Sequence, residues 1–376
     1  MMNVLPLMNN NLNWEEILSN PPYSITIKRD VGYILLKYNQ FLSDFSNPIV
    51  RECRGSIFYL RDDGLYECVC RAFDKFGNYG EEYADEIDWS TAQVQEKVDG
   101  SLIKVFYHNN AWHIATNGTI NAYNCVVYKE DKETNKTYGS IFNFALRGHL
   151  NQFFESLDKD YTYMFELVSP YTKLVVEYPD TALYYLSRRN IHTMEEDNAR
   201  PEAFKEFGIL FPKTYSLKTL EDCLAYVKTM DKNEEGFVVK DAAFHRIKIK
   251  SPEYLLAFRS KNNGVLSTKR IIKMIREESI DDLLAYCPEY KERVDAVINK
   301  YKILIHSFEE EYQRFIIMHP RKWETLDRKD FAALVSSSWA KDFLFKKRSN
   351  PELRAEDYIG SLSIARLISL LDEIKI

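Results

Sequence analysis

The chain has 376 residues, 45% hydrophobic and 28% charged, with a formal net charge of −6. That composition is ordinary for a soluble globular protein, and the length suits two domains that each bury a core. The negative balance excludes a molecule-wide basic field for nucleic acid, and no apolar run approaches the ~18 residues needed to span a bilayer.

Charge is uneven, however. From Lys261 onward there are 21 Lys/Arg against 19 Asp/Glu, and 29 against 37 before it, so nucleic-acid contacts must use local patches. The six cysteines, Cys53, Cys68, Cys70, Cys125, Cys223 and Cys287, show no zinc-type CxxC spacing, and a reduced, intracellular protein is expected.

In chain order, residues 1–20 are polar and Asn-rich, with a short helix expected over Trp14–Leu18. Ser24–Lys28 and Tyr33–Tyr38 read as strands. Gly55–Leu60 and Leu65–Arg71 flank Asp62-Asp63-Gly64 as a hairpin, and Phe106–Ile114 repeats the pattern around Asn109-Asn110. Thr91–Glu96 and Ser101–Tyr107 are strands meeting at Lys97. A helix is expected over Ile141–Leu157, with strands at Tyr161–Val168, Leu174–Glu177 and Leu183–Ser187. Helices near Pro201–Phe207 and Leu217–Met230 precede strands at Gly236–Lys240 and His245–Lys250.

After Ser251-Pro252 the pattern turns helical, over Ile271–Glu278, Asp295–Met318, Lys329–Ser337 and Leu362–Ile374. The expected fold class is α+β: a mixed domain over 1–255, then an all-helical domain over 256–376 that could bind RNA.

Lys97-Val98-Asp99-Gly100-Ser101 is the most informative stretch. A lysine that attacks phosphorus must be neutral, desolvated and rigidly held. Lys-x-Asp-Gly offers a nucleophile, a carboxylate two residues on and a glycine turn, although an exposed hairpin turn has the same residues. Further segments carry the types that nucleotide chemistry needs. Glu166, ending a strand, could accept from a ribose hydroxyl or be a surface glutamate. Glu235 before Gly236 stands at a strand entrance, suited to Mg²⁺ or to an acidic turn. Lys248 and Lys250 share one strand face while Ile247 and Ile249 face the core, and two adjacent ammoniums call for an anion or for solvent. Arg54 and Lys75 are anion contacts or ordinary surface cations.

Taken together, Glu52-Cys53-Arg54-Gly55, Lys75-Phe76, Lys97-Val98-Asp99-Gly100-Ser101, Phe165-Glu166, Glu235-Gly236 and Lys248-Ile249-Lys250-Ser251 resemble the covalent nucleotidyltransferases. Within them the chain is similar to RNA ligases of the bacteriophage T4 RNA ligase 1 family, over roughly residues 30–255. It departs from the family at Gly77, where a second aromatic is usual, and at Thr116-Asn117-Gly118-Thr119. There the basic residue before the glycine is missing, so a phosphate contact is lost or passes to Asn117.

The resemblance implies an N-terminal nucleotidyltransferase domain of ATP-grasp-like antiparallel sheets with flanking helices. It implies an ATP-dependent RNA ligase, forming phosphoric ester bonds between 5′-phosphate and 3′-hydroxyl RNA ends through lysyl-AMP and an adenylylated 5′ end, in RNA or tRNA repair. Lys97 is then the nucleophile, with Lys248 and Lys250 catalytic. Arg54, Lys75, Glu96, Lys97, Glu166, Glu235, Lys248 and Lys250 bind nucleotide, and Glu235, with Asp99 as second candidate, binds Mg²⁺ or Mn²⁺. A monomer without membrane contact is expected, in the cytoplasm (the host's if the source is viral). The alternatives are a DNA-strand ligase or guanylyltransferase of the same superfamily, or a non-catalytic RNA-binding protein on this fold. No P-loop Gly-x-x-x-x-Gly-Lys-Ser/Thr occurs, so end-healing kinase chemistry is not expected of these residues. The cluster Arg321, Lys322, Arg328, Lys329, Lys341, Lys346, Lys347 and Arg348 is either a sequence-independent RNA platform or a set of solvated helix faces.

Overall fold

The structure, a computed structural model, describes all residues except 1, 130–134, 173–174, 261–265, 277–279, 281–282, 285–286, 320–321 and 375–376. The chain divides into two compact units, Met1–Asn263 and Gly264–Ile376.

In the first unit, β1 (Ile25–Asp30), β2 (Tyr33–Tyr38), β3 (Arg54–Leu60) and β4 (Tyr66–Cys70) form an antiparallel meander. One face of it, through Leu36, Phe58 and Cys68, packs on helices Val4–Asn10 and Trp14–Ser19. The first of these helices escapes a composition reading because its asparagines mask two buried anchors, Val4 and Met8. The other face, through Leu35, Ile57 and Val69, packs on Phe106 and Ala115 of the second sheet and on Ile120 in the loop that follows it.

A second antiparallel sheet uses β6 (Ser101–His108), β7 (Ala111–Thr116), β10 (Tyr161–Val168), β11 (Ala182–Asn190) and β12 (Glu196–Asp197), in the order β12-β11-β10-β6-β7. A third has the order β13-β5-β14-β15, from β5 (Gln93–Glu96), β13 (Thr214–Tyr215), β14 (Gly236–Lys240) and β15 (Arg246–Lys250). β8 (Val126–Lys129) and β9 (Asn135–Thr137) make a small ribbon. The hairpin expected at Asn109-Asn110 forms, with φ of 48° and 60°, both in the left-handed region that a tight primed turn requires.

Two sequence expectations fail for local reasons. The helix over Ile141–Leu157 is two helices, Tyr138–Ala145 and Leu150–Glu155, broken where Arg147 (φ 52°) and Gly148 (φ 83°) turn left-handed. The strand at Leu174–Glu177 does not form over its described part, 175–177. The Val175 and Val176 N–H groups are instead spent on one oxygen of Asp99; Leu174 lies outside the described residues.

The mixed antiparallel architecture of this unit is the α+β class expected. Helix Pro252–Ser260, following β15, belongs to the same unit.

The second unit is helical throughout its described residues. Its longest helix, Lys291–Met318, carries Phe308 against Trp339, Phe343 and Tyr358. Of the described members of the basic cluster Lys347 is buried and Arg348 half-buried, while Arg328, Lys329, Lys341 and Lys346 are exposed. Arg348 lies over Phe331, Lys347 is buried beside Tyr312, and Lys346 and Arg328 lie over Tyr358 and Phe345. Arg321 and the Lys322 side chain lie outside the described residues. No described helix is long and apolar enough to cross a membrane.

Candidate active site

Lys97 sits where the chain leaves the third sheet for the second. Its backbone N–H donates to Gly236 O at 2.9 Å, which ties it to the start of β14. Gly236 has a φ of +132°, and a Cβ there would stand 2.1 Å from Ile249 O. Only glycine allows β14 and β15 to close at this point, and that closure sets Glu235 beside Lys250. One Glu235 oxygen lies 2.8 Å from Lys97 Nζ, the other 2.7 Å from Lys250 Nζ. Lys97 keeps 20% of its side chain exposed while Lys250 and Glu235 keep 4% and 3%, so the lysine is the member a substrate can reach.

Gly100 performs the second close approach. A Cβ would meet Leu167 O at 2.6 Å and Glu166 Cγ at 2.9 Å, so the absent side chain lets the loop lie on β10. Glu166 thereby enters the electrostatic field of Lys97. Burial pushes its carboxyl up to about 7, aided by Glu235 and opposed by Lys97 and Arg54.

Asp99 is buried and serves as a brace. One oxygen accepts from Val175 N (2.9 Å) and Val176 N (2.7 Å), the other from Tyr254 Oη (3.0 Å). Burial, then Glu235, raises its pKa. With both oxygens committed to protein donors, it has little left for a cation, whereas Glu235 Oε2 makes an ion pair but no hydrogen bond. Among the described residues no group of three or more His, Cys, Asp or Glu side chains is arranged to hold a metal. Glu235 fits a cation that takes its remaining ligands from phosphate and water.

The other expected residues surround this core. Lys248 and Lys250 alternate with Ile247 and Ile249, which enter the third sheet's core. Lys248 lies over Phe76 (5.5 Å), and its strand is paired by Gly77 O and Tyr79 N. Gly77 is where an aromatic was expected; a Cβ there would already stand 3.1 Å from Ala84 Cα. Lys75 is buried near the Tyr38 and Phe45 rings. Arg54 lies over Phe73, 4.8 Å to the ring centre, with Nη1 buried and unbonded. Glu96 engages the residue before β13. It accepts from Lys213 N at 3.2 Å, and its charge adds to burial in raising the Tyr184 and Tyr215 phenols.

Sequence reasoning missed Tyr254, Tyr178 (whose Oη accepts from Asp99 N) and Phe73, whose ring also carries Arg246 at 4.9 Å. Nothing in local spacing signals these partners.

The arrangement is a reachable lysine against a carboxylate that a second, buried lysine also holds, with further cations nearby. Residues 52–254, more than half of the chain, match the family model described as RNA ligase, of the T4 type 1 group; the chain belongs to that family. A protein of Autographa californica nuclear polyhedrosis virus that carries the name bifunctional polynucleotide kinase/RNA ligase is 29% identical over 359 residues, covering 91% of this chain and 49% of that one. An RNA ligase of Rhodothermus phage RM378 is 25% identical over 310 residues, covering 64% and 67%. The chain thus spans about half the length of the first relative and two thirds of the second. An archaeal ATP-dependent RNA ligase structure superposes with a TM-score of 0.42 at 13% identity, over 79% of this chain and 78% of that one, which is too distant to bear on function.

Proposed function

We propose that the chain is an ATP-dependent RNA ligase that works through a lysyl-AMP intermediate. Lys97 Nζ attacks the α-phosphorus of ATP; the P–N bond forms, the bond to pyrophosphate breaks, and the ammonium proton leaves. The AMP passes to an RNA 5′-phosphate, and a 3′-hydroxyl then displaces AMP to seal the strand. In-line phosphoryl chemistry asks the protein mainly for positioning and charge neutralisation.

The observation that carries this reading is the Lys97–Glu235–Lys250 cluster, with the nucleophile its most accessible member. Lys97 must leave Glu235 before its nitrogen can reach the α-phosphorus. Lys248 and Lys250 bind the phosphates, Lys250 nearer the α-phosphate. Arg54 and Lys75 engage the pyrophosphate or the RNA 5′-phosphate, and Glu166 takes the ribose hydroxyls. Glu96, next to the nucleophile, lies at the nucleotide rim. Glu235 is the residue to hold Mg²⁺ or Mn²⁺, which when bound neutralises phosphate charge. Asp99 we assign to bracing the nucleophile's loop rather than to the metal. RNA repair in the cytoplasm by a monomer, with tRNA among the substrates, is part of the same reading.

Incubation with α-labelled ATP and Mg²⁺, then denaturing electrophoresis, tests it. A covalent label that pyrophosphate reverses, absent from Lys97→Ala and not obtained from GTP, is expected. No label on folded protein freed of bound AMP would favour a non-catalytic RNA-binding role.

A further inference from the structure

Beyond the residues assigned to the nucleotide, the loop after Lys97 borders an aromatic surface. Tyr138 opens the helix that follows β9, and its hydroxyl lies 3.2 Å from that of Ser101, the residue after Gly100. Tyr171 lies in the short turn Pro170–Thr172 after β10, against which β8 packs. It keeps 38% of its surface exposed, with the Lys136 ammonium of β9 4.4 Å from the ring centre. Val175 and Val176, a few residues on, hold Asp99 through their N–H groups. Tyr123 stands just before β8 and is 43% exposed. A Cβ on Gly139 would fall 2.6, 2.7 and 2.8 Å from three atoms of its ring. Distances so nearly equal put that Cβ over the ring face, so the Tyr123 ring rests flat on glycine backbone and turns its other face outward. Val126 of β8 adds a third exposed apolar side chain.

Exposed apolar surface gathered in one place marks a binding site. Rings already held in position lose little freedom when a flat partner stacks on them. On the ligase reading RNA has to reach Lys97. Coulomb attraction serves it poorly here, because the residues before Lys261 carry 29 Lys/Arg against 37 Asp/Glu. Stacking does not depend on that balance, and every base has a face to offer. Lys136 adds an ammonium beside the Tyr171 ring for a phosphate between bases.

We infer that Tyr123 and Tyr171, with Lys136, form a platform on which bases of the RNA strand stack while its end lies at Lys97. This rests on the ligase reading above and adds where the strand is held.

The test compares wild type with Tyr123→Ala, Tyr171→Ala, Tyr123→Phe and Tyr171→Phe, with thermal melts to confirm folding. Three activities are followed against substrate concentration. These are self-adenylylation on ATP, AMP transfer from purified adenylylated protein to 5′-phosphorylated RNA, and sealing of pre-adenylylated RNA. Each Ala variant should need about 10-fold more RNA in at least one of the last two, the scale of one base–aromatic stack. Its ATP dependence should be unchanged, and the Phe variants, which keep the ring, should behave as wild type. Wild-type RNA dependence in both RNA-using steps, or a matching loss in self-adenylylation, overturns the assignment. Lys136→Met should lower the slope of log RNA affinity against log salt by about 0.7; an unchanged slope removes Lys136 from the platform. If wild type takes no label, the ligase reading fails separately. Binding of a labelled RNA oligonucleotide to the unmodified protein then decides the platform: about 10-fold weaker binding by the Ala variants supports it, and equal binding removes it.

Discussion

Lys97 Nζ and the Glu235 carboxylate stand 2.8 Å apart, and Glu235 gives its second oxygen to Lys250 at 2.7 Å. The proposed nucleophile thus rests against the carboxylate proposed for the metal, and on that reading both must part for chemistry to begin. Glu235→Gln removes the charge that two neighbouring ammoniums share, one of them almost fully buried. The cost should be about 3 kcal/mol of stability, the scale of breaking a buried ion pair. Self-adenylylation should fall by about 10²–10³-fold. Lys250→Ala should lower the adenylylation rate on the same scale; a wild-type rate would remove Lys250 from the α-phosphate.

The pH dependence of stability reports on Glu166. Burial raises its carboxyl from 4.5 to about 7. Between those values the folded protein holds a proton that the unfolded chain has released, so stability falls as pH rises across the window and is level above it. Glu166→Gln should melt about 5 °C above wild type at pH 8, with the gap closing by pH 4. A constant gap over that range would place the Glu166 carboxyl outside this window.

Gly236→Ala meets both a φ of +132° and the Ile249 carbonyl at 2.1 Å. Backbone cannot yield as a flexible side chain can, so the closure of β14 on β15 should open. A loss of about 4 kcal/mol or an insoluble product is expected. Gly64→Ala, where a Cβ meets nothing within 4 Å but φ is +82°, should cost only about 1 kcal/mol. Denaturant melts of the two variants make the comparison.

Phe73 carries Arg54 at 4.8 Å and Arg246 at 4.9 Å, and Arg246 in turn is clamped by Glu196. Phe73→Leu keeps an apolar residue in the cluster with Phe76, Leu102 and Met164 but deletes the ring that orients Arg54. Self-adenylylation should drop about 10-fold, the scale of a desolvated cation–π contact, and Phe73→Tyr should retain it. The double variant with Arg54→Ala should lose little beyond Arg54→Ala alone; additive losses would separate the two residues.

Much of the first unit was legible because its signals are local. The β-rich run Tyr33–Tyr38, alternation in Arg246–Lys250, and the Asp-Gly and Asn-Asn turns report strand and hairpin whatever the rest of the chain does. The order of Lys97, Glu166, Glu235, Lys248 and Lys250 was equally readable, since the family resemblance rests on their types and order. The helix break at Arg147-Gly148 was hidden by apolar spacing that runs on across it.

The sequence by itself thus determined most of the strands, the family and the candidate side chains, all carried by residue type and short-range spacing. Only the tertiary structure decided which of them meet. Asp99 and Tyr254 are 155 residues apart in the chain and joined at 3.0 Å. The turn at Asn117 meets β3 only because Gly55 lacks a side chain. The cations of Arg321 to Arg348 looked like a surface, yet Lys347 and Arg348 are drawn onto aromatic rings. Long-range packing energy is shared among residues whose local patterns are independent, so no periodicity records it.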